Sequence, residues 1–204
     1  MLGRIVQIVA ALALLLYPFA VYVGLSHFDV RAAALVLLVL IAPAAVGRLK
    51  KYRSTEVRAL AFVPLVTVGL LAASAALDAA GFILFVPVFV NLGLLATFAP
   101  TLRWGPPMIE RFARLQEPEL SDAKVSWCRI WTWIWCAFFS LNAATAAALA
   151  LFAPLQWWTL YNGLIAYGLI GLLFATEFML RHLKFGGARD DSIHAPRCSG
   201  EPRP

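Results

Sequence analysis

IWTWIWCAFFSLNAATAAALALF (residues 130–152) and WTLYNGLIAYGLIGLLFATEFML (residues 158–180) are two long apolar runs with only Ala153–Trp157 between them. Crossing ~30 Å of hydrocarbon at ~1.5 Å per residue takes about 20 residues, and each run reaches that length. So short a connection makes neighbouring helices antiparallel. Working back along the chain, four more runs follow: Ile5–Leu25, Ala32–Gly47, Leu60–Leu77 and Ala80–Thr101. Ala32–Gly47 is the shortest, and Phe28, Val30 and a snorkelling Arg48 extend it. The connections Ser26–Arg31 and Asp78–Ala79 are as tight as Ala153–Trp157. The expectation is an all-α polytopic membrane protein, with six transmembrane helices arranged as three hairpins.

The cations orient this arrangement. Of the 17 Lys and Arg, all but Arg31 fall at the two ends or in the second and fourth connections. Those places share one side if every run crosses once. The positive-inside bias then puts both termini of a multi-pass protein in the cytoplasm. Residues 1–184 form the transmembrane domain. Residues 185–204 read as a disordered cytoplasmic tail, with Gly186 and Gly187 stopping the last helix. The net charge of +6 does not imply nucleic acid, because the cations flank segment ends, where anionic headgroups account for them. A hydrophobic share of 62% and a mean hydropathy of +0.80 leave little chain for a water-soluble domain. The first run exceeds the ~7–15 apolar residues of a secretory signal, so an uncleaved first span is expected.

Cys128 and Cys198 fall on the cytoplasmic side and Cys136 inside a span, so no disulfide is expected. Three cysteines and three scattered histidines form no zinc pattern, and neither metal nor cofactor is expected.

Each of the first four runs carries one proline in its interior: Pro18, Pro43, Pro64 and Pro87. Each removes a backbone donor and kinks its helix. The last two runs carry none and are expected to be straighter. The fourth connection, Arg103–Ser126, holds a short amphipathic stretch over residues 106–116. Pro106-Pro107 starts it, Met108, Ile109, Phe112 and Leu115 form its apolar stripe, and Glu110, Arg111 and Arg114 face away from much of that stripe. It either lies among anionic headgroups or docks on a partner.

Polar side chains inside apolar runs mark the places to look for function. Asn91 and Asn142 sit mid-span, Tyr161 and Asn162 begin the last run, Tyr167 lies deeper, and Glu177 is near its inner end. Counting from Pro154, Asn142 and Tyr167 are level, as are Arg129 and Glu177, so a hydrogen bond and an ion pair are expected there. Glu177 can instead pair with Arg181 one turn on. Either these groups glue helices or they line a polar pocket. Trp131, Trp135, Phe139 and Asn142 share one helical face, and Arg129 points elsewhere. Trp104, Trp127, Trp157 and Trp158 read as interfacial anchors. His27, Asp29, Arg31 and Asp78 read as tolerated charges in external turns.

Three stretches carry a family resemblance: PPMIERFARLQEPEL (106–120), WCRIWTWIWCAFFSLN (127–142) and WWTLYNGLIAY (157–167). Together they resemble an uncharacterised family of proteobacterial inner-membrane proteins. Its members accompany fatty-acid-like, aryl-polyene pigment gene clusters, and are sometimes labelled "ketosynthase". The order of elements is also similar, more distantly, to the YciB or septation protein A family. The resemblance covers the span layout and is specific from about residue 104 to 180. It implies cell-envelope or envelope-lipid biogenesis and transfers no catalytic residue.

The ketosynthase label does not fit the residues. Decarboxylative condensation needs an activated cysteine and histidines around the thioester carbonyl. Such enzymes resemble large soluble α/β proteins, and here only Cys128 and His182 could meet. The leading expectation is therefore a non-catalytic membrane scaffold that holds cytosolic acyl-carrier, acyltransferase or envelope-synthesis proteins at the bilayer. The alternative is a small transporter or lipid flippase. A membrane-embedded acyl or lipid enzyme ranks third, because clustered His, Asp or Glu are missing from the spans.

Overall fold

The computed structural model describes residues 16–51 and 62–185, and all regular structure among them is helical. The first helix, α1, is described over residues 16–27. It is followed by α2 (Val30–Lys51), α3 (Phe62–Leu77), α4 (Ala80–Leu84) and α5 (Val86–Phe98), which runs into a 3-10 turn at Ala99–Leu102. The short α6 (Met108–Arg114) precedes α7 (Asp122–Phe152), α8 (Leu155–Leu160), a π turn (Tyr161–Ile165) and α9 (Ala166–Phe185). The described residues group into two compact units, one ending at Ala166 and one starting at Tyr167.

Two stretches are long and apolar enough to cross a membrane: Asp122–Phe152, and Leu155–Phe185 taken through its π turn. Shorter apolar helices lie in the earlier runs, including Leu65–Leu77 and Val86–Leu102. Residues 5–15 of the first run, the cations at Arg53 and Arg58, and the expected tail beyond Phe185 lie outside the described residues.

Several expected boundaries move. The first turn is tighter than Ser26–Arg31, because α1 continues to residue 27 and α2 starts at Val30. A Cβ on Gly24 would stand 2.8 Å from the Cβ of Ala33, so the missing side chain lets these two helices meet. The second turn falls at Asp78–Ala79 as expected. Asp78 takes φ +54°, a left-handed conformation that aspartate tolerates, and Ser74 Oγ donates to Ala79 O at 2.8 Å. The third turn shrinks to Ala153–Pro154. At its other end α7 begins at Asp122, two turns before the expected Ile130. The proline-free last run is not uniform, since the π turn interrupts it.

The fourth run breaks where its proline dictates. Pro87 has no N–H, so the carbonyl of Ile83, four residues back, loses its helical partner. Tyr17 of α1 donates its hydroxyl to that carbonyl. The next carbonyl, Leu84 O, accepts from Trp158 Nε1 at 3.1 Å. Tyr17 and Trp158 stand edge to face, with ring centroids 6.4 Å apart. Trp158, expected as an interfacial anchor, is instead fully buried beside Val21, Leu37, Ile41 and Leu71. Its neighbour Trp157 is exposed.

Tyr17→Phe is expected to cost about 1–2 kcal/mol, since it leaves Ile83 O buried without a donor. The cost should shrink in a Pro87→Ala background, which restores the helical donor. Denaturant unfolding in mixed micelles, run as a double-mutant cycle, measures this; equal losses in both backgrounds would contradict the assignment.

Candidate functional site

The buried face of α7 repeats large, large, large, polar, small: Trp131, Trp135, Phe139, Asn142, Ala146. Phe139 meets Phe98 of α5 edge to face at 5.2 Å. Beyond it, Ala143 and Ala146 pack with Val88, and these small side chains let α7 approach α5 closely. Two carboxamides lie on this contact. Asn142 Nδ2 donates to Asn91 Oδ1 at 3.0 Å, and Asn91 Nδ2 donates to Pro87 O at 2.8 Å. Tyr161, the first residue of the π turn, donates its hydroxyl to Asn142 Oδ1 at 2.7 Å. A chain of hydrogen bonds thus runs from Tyr161 through Asn142 and Asn91 to the backbone beside the Pro87 break.

These groups are neutral, so the chain joins helices and orients dipoles without a charge. Each carboxamide nitrogen has two hydrogens and uses one of them in these bonds. The π turn at one end matters because such turns often mark functional places in helices. A Cβ on Gly163, within that turn, would lie 2.9 Å from the ring of Phe19, so α1 presses on the turn where no side chain blocks it.

The connection before α7 is tied down by hydroxyls. Thr101 Oγ1 accepts from Met108 N at 3.0 Å while donating to Phe98 O at 2.7 Å. Thr132 Oγ1 accepts from Ile109 N at 3.3 Å while donating to Cys128 O at 2.8 Å. The first amides of α6, which lack helical partners, are thereby satisfied by α7 and by the 3-10 turn after α5. Met108, Ile109 and Ala113 are buried, whereas Phe112 (42% exposed) and Leu115 (81% exposed) look outward. The expected single apolar stripe is therefore split between two sides.

Glu110, expected to face away, is only 4% exposed. Arg114, one turn on, holds it at 2.7 Å and also donates to Pro118 O at 2.9 Å. Lys124 pairs with Glu117 at 2.7 Å. Arg111 donates Nε to Pro106 O at 3.0 Å.

The structure brings together Asn91 and Asn142 from the expected set and joins them to Tyr161. Asn162 is buried, and its Nδ2 donates to Trp158 O in its own helix at 2.9 Å. Arg129 is exposed on α7. Tyr167 and Glu177 belong to the second unit, on α9, where Glu177 is buried and Tyr167 is partly exposed. At the first two turns Arg31 and Asp78 come within 3.9 Å of one another, both well exposed, a pair that contributes little. Tyr17, Thr101, Thr132 and the burial of Glu110 carry no sequence signal of their own; only the proline at 87 announces that some donor is needed near Ile83.

No family model matches the chain, and neither does a curated protein or a solved structure.

Asn91→Ala and Asn142→Ala are expected to show a coupling of roughly 0.6–1.7 kcal/mol in a double-mutant cycle. Tyr161→Phe should destabilise by a similar amount, and by less once Asn142 is gone. Unfolding in mixed micelles reads both, and strict additivity would dissolve the chain into unrelated contacts.

Proposed function

We propose that this chain is an integral protein of the bacterial inner membrane. It crosses six times, keeps both ends in the cytoplasm, and serves as a non-catalytic accessory in envelope-lipid biogenesis of the aryl-polyene type. The observation that carries this reading is how its buried polar side chains are used. Asn91, Asn142 and Tyr161 bond to one another, and Thr101 and Thr132 bond to the α6 backbone. These are joints between helices, and they hold the connection before α7 as an ordered element. Its water side, carrying the Glu117–Lys124 pair and the first turns of α7, is the surface offered to cytosolic acyl-carrier or acyltransferase proteins.

A transporter or lipid flippase is the second reading. What favours it is the placing of the amide chain between two irregular points, the break before Pro87 and the π turn at Tyr161. Loss of reconstituted lipid transport on Asn142→Leu, with the protein still inserted, would move the assignment there.

Deleting the protein from its host should abolish polyene pigment, read by visible absorbance, and Cys128→Ser should restore it fully. Unchanged pigment after deletion, or failed rescue by an inserted Cys128→Ser protein, would overturn the accessory role. A reporter fused after Pro204 should be active only in its cytoplasmic form; activity from outside the cell would overturn the topology.

A further inference from the structure

We infer that the outward side of α6 is a binding surface for anionic phospholipid of the inner leaflet. Trp104, Phe112 and Leu115 enter the acyl boundary there, and Arg103 and Arg111 meet phosphate. The inference rests on the reading that α7 crosses the bilayer, and it names the occupant of a surface that the sequence leaves open between lipid and protein.

Depth decides between those occupants. Ile109 N is bonded to Thr132 Oγ1, so the start of α6 is level with Thr132 on α7. From Thr132 to the end of α7 at Phe152 is 20 residues, or ~30 Å of unbroken helix, which is the thickness of the hydrocarbon. Exposed tryptophans agree with that frame. Trp133 is 61% exposed beside Thr132, and Trp157 is 60% exposed just past Phe152, the positions of two aromatic belts. The start of α6 is therefore held at the inner edge of the hydrocarbon. At that edge Trp104 (70% exposed), Phe112 and Leu115 face outward.

The charges are sorted to match. Within residues 103–124 four cations and four acids balance, but they are not mixed. Glu110 is neutralised by Arg114, and Glu117 by Lys124. Arg103 and Arg111 remain beside the apolar residues, with no ion pair among the described residues, and Arg111 is braced by Pro106 O. The acids left over, Glu119 and Asp122, follow Pro118 and lead into α7. Asp122 stands 10 residues before Thr132, ~15 Å into the water. That exceeds the Debye length of ~8 Å, so it does little to repel phosphate at the edge. Anionic headgroups fit this arrangement, because cations near such a surface are attracted over the same short range.

The test uses the full chain in vesicles of phosphatidylcholine mixed equally with phosphatidylglycerol. Nitroxide labels go on Leu115→Cys and, separately, on Leu141→Cys, with the native cysteines changed to serine. Leu141 is exposed near the midpoint between Thr132 and Phe152. Both labels should relax with dissolved oxygen more than with an aqueous nickel chelate, and Leu115 should read the shallower depth. A nickel-accessible Leu115 label beside an oxygen-accessible Leu141 label overturns the inference and leaves the face to a protein partner. A nickel-accessible Leu141 label overturns the spanning reading beneath it. Retention of phosphatidylglycerol over phosphatidylcholine on the purified protein, by native mass spectrometry, should fall several-fold in Arg103→Gln/Arg111→Gln. It should hold in Arg103→Lys/Arg111→Lys. Unchanged retention in the glutamine pair overturns the anionic part.

Discussion

A backbone carbonyl without a donor is the constraint around which the first unit is arranged. Pro87 strips one from Ile83, and the break at Phe85 loosens the next, at Leu84. In a low-dielectric interior each such group costs more than most side-chain contacts return. The answers come from opposite ends of the sequence, Tyr17 on α1 and Trp158 on α8. Both donors are aromatic, so the same residues that satisfy the break also fill the core around it. The meeting of α1, α4 and α8 follows from that requirement more than from general apolarity, which every face of these helices could supply.

The periodic part of the architecture was readable from residues alone. The all-helical character, the two long apolar helices of the last third, the turn at Asp78–Ala79 and the shared face of Trp131, Trp135, Phe139 and Asn142 rest on spacing, and spacing survives folding. What was not readable depends on which helices become neighbours. By position after a turn Trp158 reads like its exposed neighbour Trp157, an interfacial anchor; the broken helix opposite, whose Leu84 carbonyl it meets, turns it inward. Counting residues sets Asn142 level with Tyr167 and gives no hint of Tyr161, whose hydroxyl meets Asn142 Oδ1 because the π turn sets its direction at the start of the last run. Charge on an amphipathic helix usually faces water, yet Glu110 is buried with an arginine one turn on as its partner.

The short α6 shows how little intrinsic helix stability is needed. Seven residues are too few to hold a helix in water. Its start is held instead by Thr101 and Thr132, each of which accepts from an α6 amide while donating to a carbonyl in its own segment. A hydroxyl that both gives and receives is suited to this, because it satisfies the incoming amide without leaving its own hydrogen unused. The element is thus an extension of α7, and it is positioned wherever α7 is.

That dependence makes α7 the rigid member of the assembly. Its 31 residues contain neither proline nor glycine, and they carry the anchor for α6 at Thr132 and the middle of the amide chain at Asn142. The partners of Asn142 stand beside irregular backbone: Asn91 follows the break before Pro87, and Tyr161 opens the π turn. If helices shift against one another, the displacement is absorbed at those two places and not within α7. Thr132 and Asn142 then keep their spacing of 10 residues, ~15 Å, whatever the rest does. A movement that disturbs α6 reaches the amide chain as a tilt or slide of one whole helix, and the two hydrogen bonds that Asn142 makes, to Asn91 and from Tyr161, are where that movement is resisted.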